Sequence, residues 1–296
     1  PAMATAVLAL ALTALAAGAS ADTVTISTSQ AAWTIDRDHG CAVSAAWAVG
    51  DPHHTNLINT HDLGRYVQAS YYSGPSDYGG CEWGGHAWPW NPIAAGDSHG
   101  NASPVLAHTH TATTATCTIV PMQWACSNMK CECEVSIAYA AVGATLRANV
   151  TLHNHRRDTT AYPPRSQEIP AVYTNGAFPH LYGYTGDQPC KDLSAPVKEI
   201  PSGWNSAGGT SPWVPGVLTT LTEPWMAYAQ DNGFGLGVWS SDASQWIAGF
   251  SGVKGSGGTK DAPTGYIAPL ATAALPHNAN YSYSFALVMG NLPDIR

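Results

Sequence analysis

The chain is written in short runs of alternating apolar and polar positions. Residues 23–28, Thr-Val-Thr-Ile-Ser-Thr, alternate one by one. Residues 144–152 alternate over a longer span. Leu146, Ala148, Val150 and Leu152 fall on one face, with Arg147, Asn149, Thr151 and His153 on the other. A period of two is the pattern of a half-buried β-strand. Further extended runs occupy 66–72, 116–120, 135–139, 225–229, 235–239 and 281–288. No amphipathic stretch of helical period reaches three turns. No internal repeat and no break in composition mark a domain boundary. The pattern predicts an all-β protein with one large domain.

Composition sharpens this picture. The 296 residues are 45% hydrophobic and only 11% charged, the reverse of a disordered chain. Twelve Lys and Arg stand against 20 Asp and Glu, a net charge of -8. That lacks the basic footprint of a nucleic-acid partner. Residues 5–17 form an uncharged apolar run, and Ala19-Ser20-Ala21 fits a small-residue cleavage site. The run is too short for a membrane span. It reads as a secretory signal over 1–21, with the mature domain over 22–296 beginning at Asp22, outside the cell. Seven cysteines follow it, an odd number. Centring a turn on Asn128 and Met129 sets Cys126 opposite Cys131, which predicts a disulfide between them. Asn101, Asn149 and Asn280 each open an Asn-x-Ser/Thr glycosylation sequon.

Two stretches, 73–103 and 189–215, read as long loops. The first holds Trp83, His86, Trp88, Trp90 and Asn91 amid glycine and proline. So aromatic a loop is ordered and functional rather than a plain connector. Flat aromatic rings beside amides suit the apolar faces and hydroxyl edges of a sugar. His61, Asp62 and Arg65 lead into a run with Gln68 and Tyr72, where an arginine fork can hold an oxygen-rich ligand. A third cluster runs from His153 through His155, Arg156, Arg157 and Asp158 to Arg165, Glu168 and Tyr173. Arg165 joins the ligand-binding candidates, and His155, Glu168 and Tyr173 can supply acid or base. His108-x-His110 and His153-x-His155 raise a metal reading, but no spacing forces convergence, and neither a metal nor a cofactor is expected.

Gly64-Arg65 entering a strand, Asn154-His155 closing one, and the ending from Leu275-Pro276-His277 to residues 281–285 resemble the galactose-mutarotase-like proteins. The resemblance implies a large two-layer antiparallel β-supersandwich that handles carbohydrate. It also implies that Arg65 holds sugar hydroxyls and that His155 stands at the position of the mutarotase acid histidine. The sequence departs from the family at 261–269, where mutarotases carry a catalytic glutamate and this chain has none. It also lacks the second arginine after Arg65. The expected function is binding of an oligo- or polysaccharide with cleavage by hydrolysis or elimination, with Arg65, His155 and Glu168 meeting at one site. For hydrolysis, Asp62, Glu82 and Asp97 are candidate second carboxylates. A lectin-like glycan binder and a sugar mutarotase are the alternatives.

Overall fold

The computed structural model describes residues 22–193, 197–202, 217–241 and 243–296. The expected signal over 1–21 lies outside them, as does much of the expected loop over 189–215. Among the described residues nearly every regular element is a strand. The exceptions are a 3-10 turn at Arg37–His39 and a four-residue helix at Leu292–Ile295. Among the described residues no helix is long and apolar enough to cross a membrane.

Two antiparallel sheets form the layers. The first has ten strands. Its main path runs Thr23–Ser27, Ala31–Asp36, Ala42–Ala48, Val67–Ser70, Arg165–Asn175, Thr264–Ala273, Gln245–Ser251 and Val217–Thr220. Short strands at Pro92–Ile93 and Met122–Gln123 branch from Val67–Ser70. The second sheet has nine strands, with Ala279–Asn291, Thr145–Asn154 and Cys133–Val142 at its centre. The alternation read over 144–152 holds: Leu146, Ala148, Val150 and Leu152 are buried, and Arg147 and Asn149 are exposed. One apolar cluster draws on the inner faces of both sheets, including Ile35, Val67 and Val172 from the first and Val135, Val150 and Leu287 from the second. Tyr139 ties the layers by donating its hydroxyl to the Cys41 carbonyl at 3.1 Å. The expected two-layer β-supersandwich is the observed fold.

The disulfides correct one expectation. Cys126 bonds Cys81, Cys131 bonds Cys133, and Cys41 bonds Cys117. The turn at Asn128 does form, with φ of 53°. The chain at 123–131 is irregular rather than a ladder, however. Gln123 N–H donates to the Met129 carbonyl and Cys131 N–H to that of Pro121. Cys126 is therefore turned toward the 73–103 loop instead of across the turn. Cys190 is free and exposed.

Arg165–Asn175 is a central strand that the polar cluster concealed. Its residues do not keep a simple alternation. Gln167 and Ile169 face inward, and a register shift between Glu168 and Ala171 inserts an irregularity at Pro170. A proline has no N–H to give a ladder and favours such a site. After the shift Val172 faces the core, while Ala171 and Tyr173 face outward. The bulge thus puts Glu168, Ala171 and Tyr173 on one face, where an unbroken strand would have shown 168, 170 and 172.

Candidate active site

That outward face of the ten-stranded sheet forms the floor of a pocket. Val67–Ser70 alternates cleanly, so Gln68 and Ser70 point out, followed by Tyr72, while Val67, Ala69 and Tyr71 enter the core. Glu168, Ala171 and Tyr173 come from the neighbouring strand and Tyr266 from the next. Trp83, Trp88 and Trp124 wall the pocket from the loops, with Gly64 at one side. The pocket has a cavity volume of about 80 Å³. Gly64 is required there, because a Cβ would lie 2.6 Å from the Trp124 ring.

The aromatic walls are braced. Trp83 sits at the end of a two-residue hairpin whose turn, Gly84-Gly85, has φ of 59° and 78°, which side chains resist. The Cys81–Cys126 disulfide fastens this hairpin to the segment carrying Trp124. The Trp83 and Trp124 rings meet edge to face, 4.9 Å between centroids. Trp88 donates its indole N–H to Asn91 Oδ1 at 3.0 Å. Asn91 in turn donates to Ser70 Oγ and the Tyr71 carbonyl, both at 2.9 Å. Tyr173 and Tyr266 are direct cross-strand partners with ring centroids 4.7 Å apart.

Glu168 is the acidic side chain of this pocket. It is half-buried, reached from the pocket but otherwise packed among tyrosines. Burial pushes its carboxyl up to about 7, against the opposing pull of the Tyr266, Tyr72 and Ser70 hydroxyls. Tyr72 donates to Glu168 Oε2 at a long 3.4 Å. The Tyr266 hydroxyl is buried and makes no well-formed hydrogen bond. Burial, then the charge of Glu168, raises Tyr72, Tyr173 and Tyr266 above the ordinary phenol range. These three tyrosines stay protonated and act as donors, while the carboxyl can take or give a proton near neutral pH.

The other expected residues divide. Gln68 lines the pocket, but its amide is committed to the Leu63 and Arg65 carbonyls and the Ala95 N–H. Arg65 does not line it. Its guanidinium donates to Asn59 Oδ1 and the Asp261 and Ala262 carbonyls, with Asp62 at 3.2 Å. It clamps the 252–263 loop instead of a ligand. Asp62 also accepts the N–H of Gly64, and so stands beside the pocket without lining it. His155 is exposed and outside the pocket, its N–H bound to the Glu132 carbonyl. The expected meeting of Arg65, His155 and Glu168 therefore does not form. Arg156 is buried by the Asp158 and Thr160 carbonyls and the Tyr162 ring, and Arg165 donates to Ser76 Oγ at 3.1 Å. The basic cluster is a structural turn. Trp90 is wholly buried core, not platform. His61 bonds the Lys260 carbonyl, and His86 and Glu82 are exposed on the hairpin, all outside the pocket. Asp97 is buried and spent on the turn at 97–101 and the Asn128 N–H.

The histidine pairs are used separately. His108 contacts Arg37, and His153 bonds Ser136 and Asn280. Among the described residues no group of three or more His, Cys, Asp or Glu converges as metal ligands. Trp124 and Tyr266 were missed in the sequence. Each stands alone in an apolar run, and only its partners across the sheet or loop reveal it.

No protein-family model matches the chain, and no curated protein matches it in sequence. Solved structures do match in fold. A galactose mutarotase-like protein from Lactobacillus casei has a TM-score of 0.53 at 16% identity, covering 90% of this chain and 99% of that one. A galactose mutarotase related enzyme from Lactobacillus acidophilus has a TM-score of 0.50 at 13% identity, covering 90% and 97%. A candidate aldose 1-epimerase from Escherichia coli has a TM-score of 0.54 at 11% identity, covering 92% and 100%. The chain shares the fold of these galactose mutarotase-like proteins over nine-tenths of its length.

Proposed function

We propose that this chain is an exported carbohydrate-active protein that seats a sugar against Trp83, Trp88 and Trp124 and moves a proton on it with Glu168. The observation that carries the reading is the place of the Glu168 carboxyl at the base of an aromatic pocket, where burial pushes it up to about 7. Such a group is half-ionised near neutral pH and serves as acid and as base in turn. Tyr72, whose hydroxyl donates to the carboxyl at 3.4 Å, holds that group in place beside the sugar. Three disulfides among the described residues support an oxidising compartment.

Hydrolysis by paired carboxylates loses ground, because Glu168 is the only carboxylate lining the pocket among the described residues. Elimination with a tyrosine base loses ground too, since burial holds the phenols protonated. Proton transfer centred on one carboxyl, as in opening and closing a sugar ring at its anomeric carbon, is the reaction class favoured. The test is a panel of mono- and oligosaccharides followed by calorimetry for binding and by NMR for anomeric exchange. Reducing ends and unsaturated products are measured alongside. Glu168→Gln should keep binding and lose at least a hundredfold in turnover. Binding without any turnover in the native protein would leave a lectin, and no binding at all would remove carbohydrate from the reading.

A further inference from the structure

The outer face of the nine-stranded sheet is a second concavity, on the opposite layer from the pocket. It holds about 640 Å³ and crosses Val105–His110, Thr114–Ile119, Cys133–Val142, Thr145–Asn154 and Ala279–Asn291. Its rows are small and hydroxylated. Thr118, Ser136, Thr151 and Ser282 are successive cross-strand partners, as are Thr116, Ala138, Asn149 and Ser284. Among the described residues no acidic side chain, lysine or arginine lines it. A broad face with neither apolar bulk nor charge has no evident protein partner.

Two of the three glycosylation sequons open onto this face. Asn149 is exposed in the concavity, and Asn280 is exposed at its edge on the adjacent strand. The strands are antiparallel, so the sequon hydroxyls of Thr151 and Ser282 stand opposite each other, 2.9 Å apart. Asn149 faces Ser284, four residues from Asn280, which separates the two asparagines by about 14 Å. Asn280 Oδ1 pairs with the His153 ring at 3.0 Å and leaves its Nδ2 unused there. Asn101 is built differently. Its Nδ2 donates to Asp97 Oδ2 at 2.8 Å, within a turn whose Asp97 is 1% exposed. Its sequon hydroxyl, Ser103, is equally buried, donating to the Ile93 carbonyl and accepting the Met122 N–H.

We infer that the hydroxyl-rich face is covered by two N-linked glycans of this chain, at Asn149 and Asn280, and that Asn101 stays unmodified. The donor is an oligosaccharyl diphosphate of the secretory pathway. The Asn Nδ2–C1 bond forms, the C1–O bond to the diphosphate breaks, and the diphosphate departs as the amide gives up one proton. Attachment precedes folding, so the folded structure acts by selecting which glycans it tolerates. A glycan at Asn149 or Asn280 projects into solvent, while one at Asn101 replaces one of the two hydrogens of an Nδ2 already held against the buried Asp97 carboxylate, in a turn that also buries Ser103. The glycans would then shield one layer and leave the Glu168 pocket open on the other.

The test is secretion of the full chain from yeast behind an added leader, followed by enzymatic deglycosylation in ¹⁸O water and peptide mass spectrometry. The expected result is ¹⁸O-labelled aspartate at 149 and 280 in most molecules and unmodified Asn101. Asn149→Gln with Asn280→Gln should remove both glycan mass steps and leave the melting temperature within a few degrees. A bare asparagine at either 149 or 280, or an occupied Asn101 in secreted protein that melts normally, would overturn the inference. None of these outcomes depends on whether the pocket binds sugar.

Discussion

The side-chain amide of Gln167 acts as a strand partner for Tyr72: its Oε1 accepts the Tyr72 N–H at 2.7 Å and its Nε2 donates to the Tyr72 carbonyl at 2.8 Å. The same Nε2 reaches the Ala273 carbonyl at 3.2 Å. One wholly buried amide therefore closes the ladder beside the bulge in Arg165–Asn175. It sets Tyr72 facing Glu168, one residue further along the strand. Gln167→Leu strands two part-buried backbone groups of Tyr72, at about 1 kcal/mol each. It should lower the denaturant midpoint. In protein that remains folded, it should also shift the pH profile of any Glu168-dependent activity, which a purely structural loss would not move.

Glu168 makes stability depend on pH. Its folded pKa, about 7, lies above its ordinary value of 4.5. The stabilisation is therefore complete below about pH 4.5 and is lost as pH rises through 7. The full loss is of the order of 3 kcal/mol. Thermal melts should show a midpoint falling between pH 5 and 8, and Glu168→Gln should flatten that slope and melt higher at pH 8. A slope unchanged by the substitution would show that the carboxyl is not raised.

Trp88 and Trp90 are two residues apart and do different things. Trp88 is half-exposed on the pocket wall, and Trp90 is sealed in the core. Trp88→Ala should cost about 1–3 kcal/mol of glycan affinity by calorimetry. Trp90→Ala should cost about 3–5 kcal/mol of folding free energy by denaturant titration.

The Cys81–Cys126 bridge spans 45 residues and holds the Trp83 hairpin against Trp124. Replacing both cysteines by serine leaves no new odd thiol. It should remove about 2–4 kcal/mol of stability. It should also weaken glycan binding more than loss of Cys41–Cys117, which lies away from the pocket. Equal effects of the two double variants would separate the hairpin from ligand binding.

Arg65 is predicted to be structural. Arg65→Met leaves the Ala262 carbonyl without its donor and takes one of two donors from the Asp261 carbonyl, and should destabilise by about 1–3 kcal/mol. Affinity per folded molecule for an uncharged sugar should hold.

What the sequence determined was the strand content and the layering. The alternation at 144–152 dictated which side chains entered the core, because a half-buried strand has a period of two and burial outweighs other local preferences. The 73–103 loop was legible as ordered because its tryptophans cannot all stay in water, although only two of them wall the pocket. Glu168 and Tyr173 were legible as chemical groups. Their neighbours were not, because the bulge at Pro170 and the pairing with Thr264–Ala273 decide which residues share a face. Arg65 and His155 sit beside the right residues in sequence and outside the pocket in space. An arginine's role depends on which carbonyls surround it, and here the 252–263 loop supplies them. Cys126 likewise chose Cys81 over Cys131, since a disulfide follows the direction of the Cβ vectors rather than the count of residues between them. Sequence spacing determined the local period and the available chemistry. Contacts over a hundred or more residues, carried by sheet register and one bulge, decided which groups share the pocket.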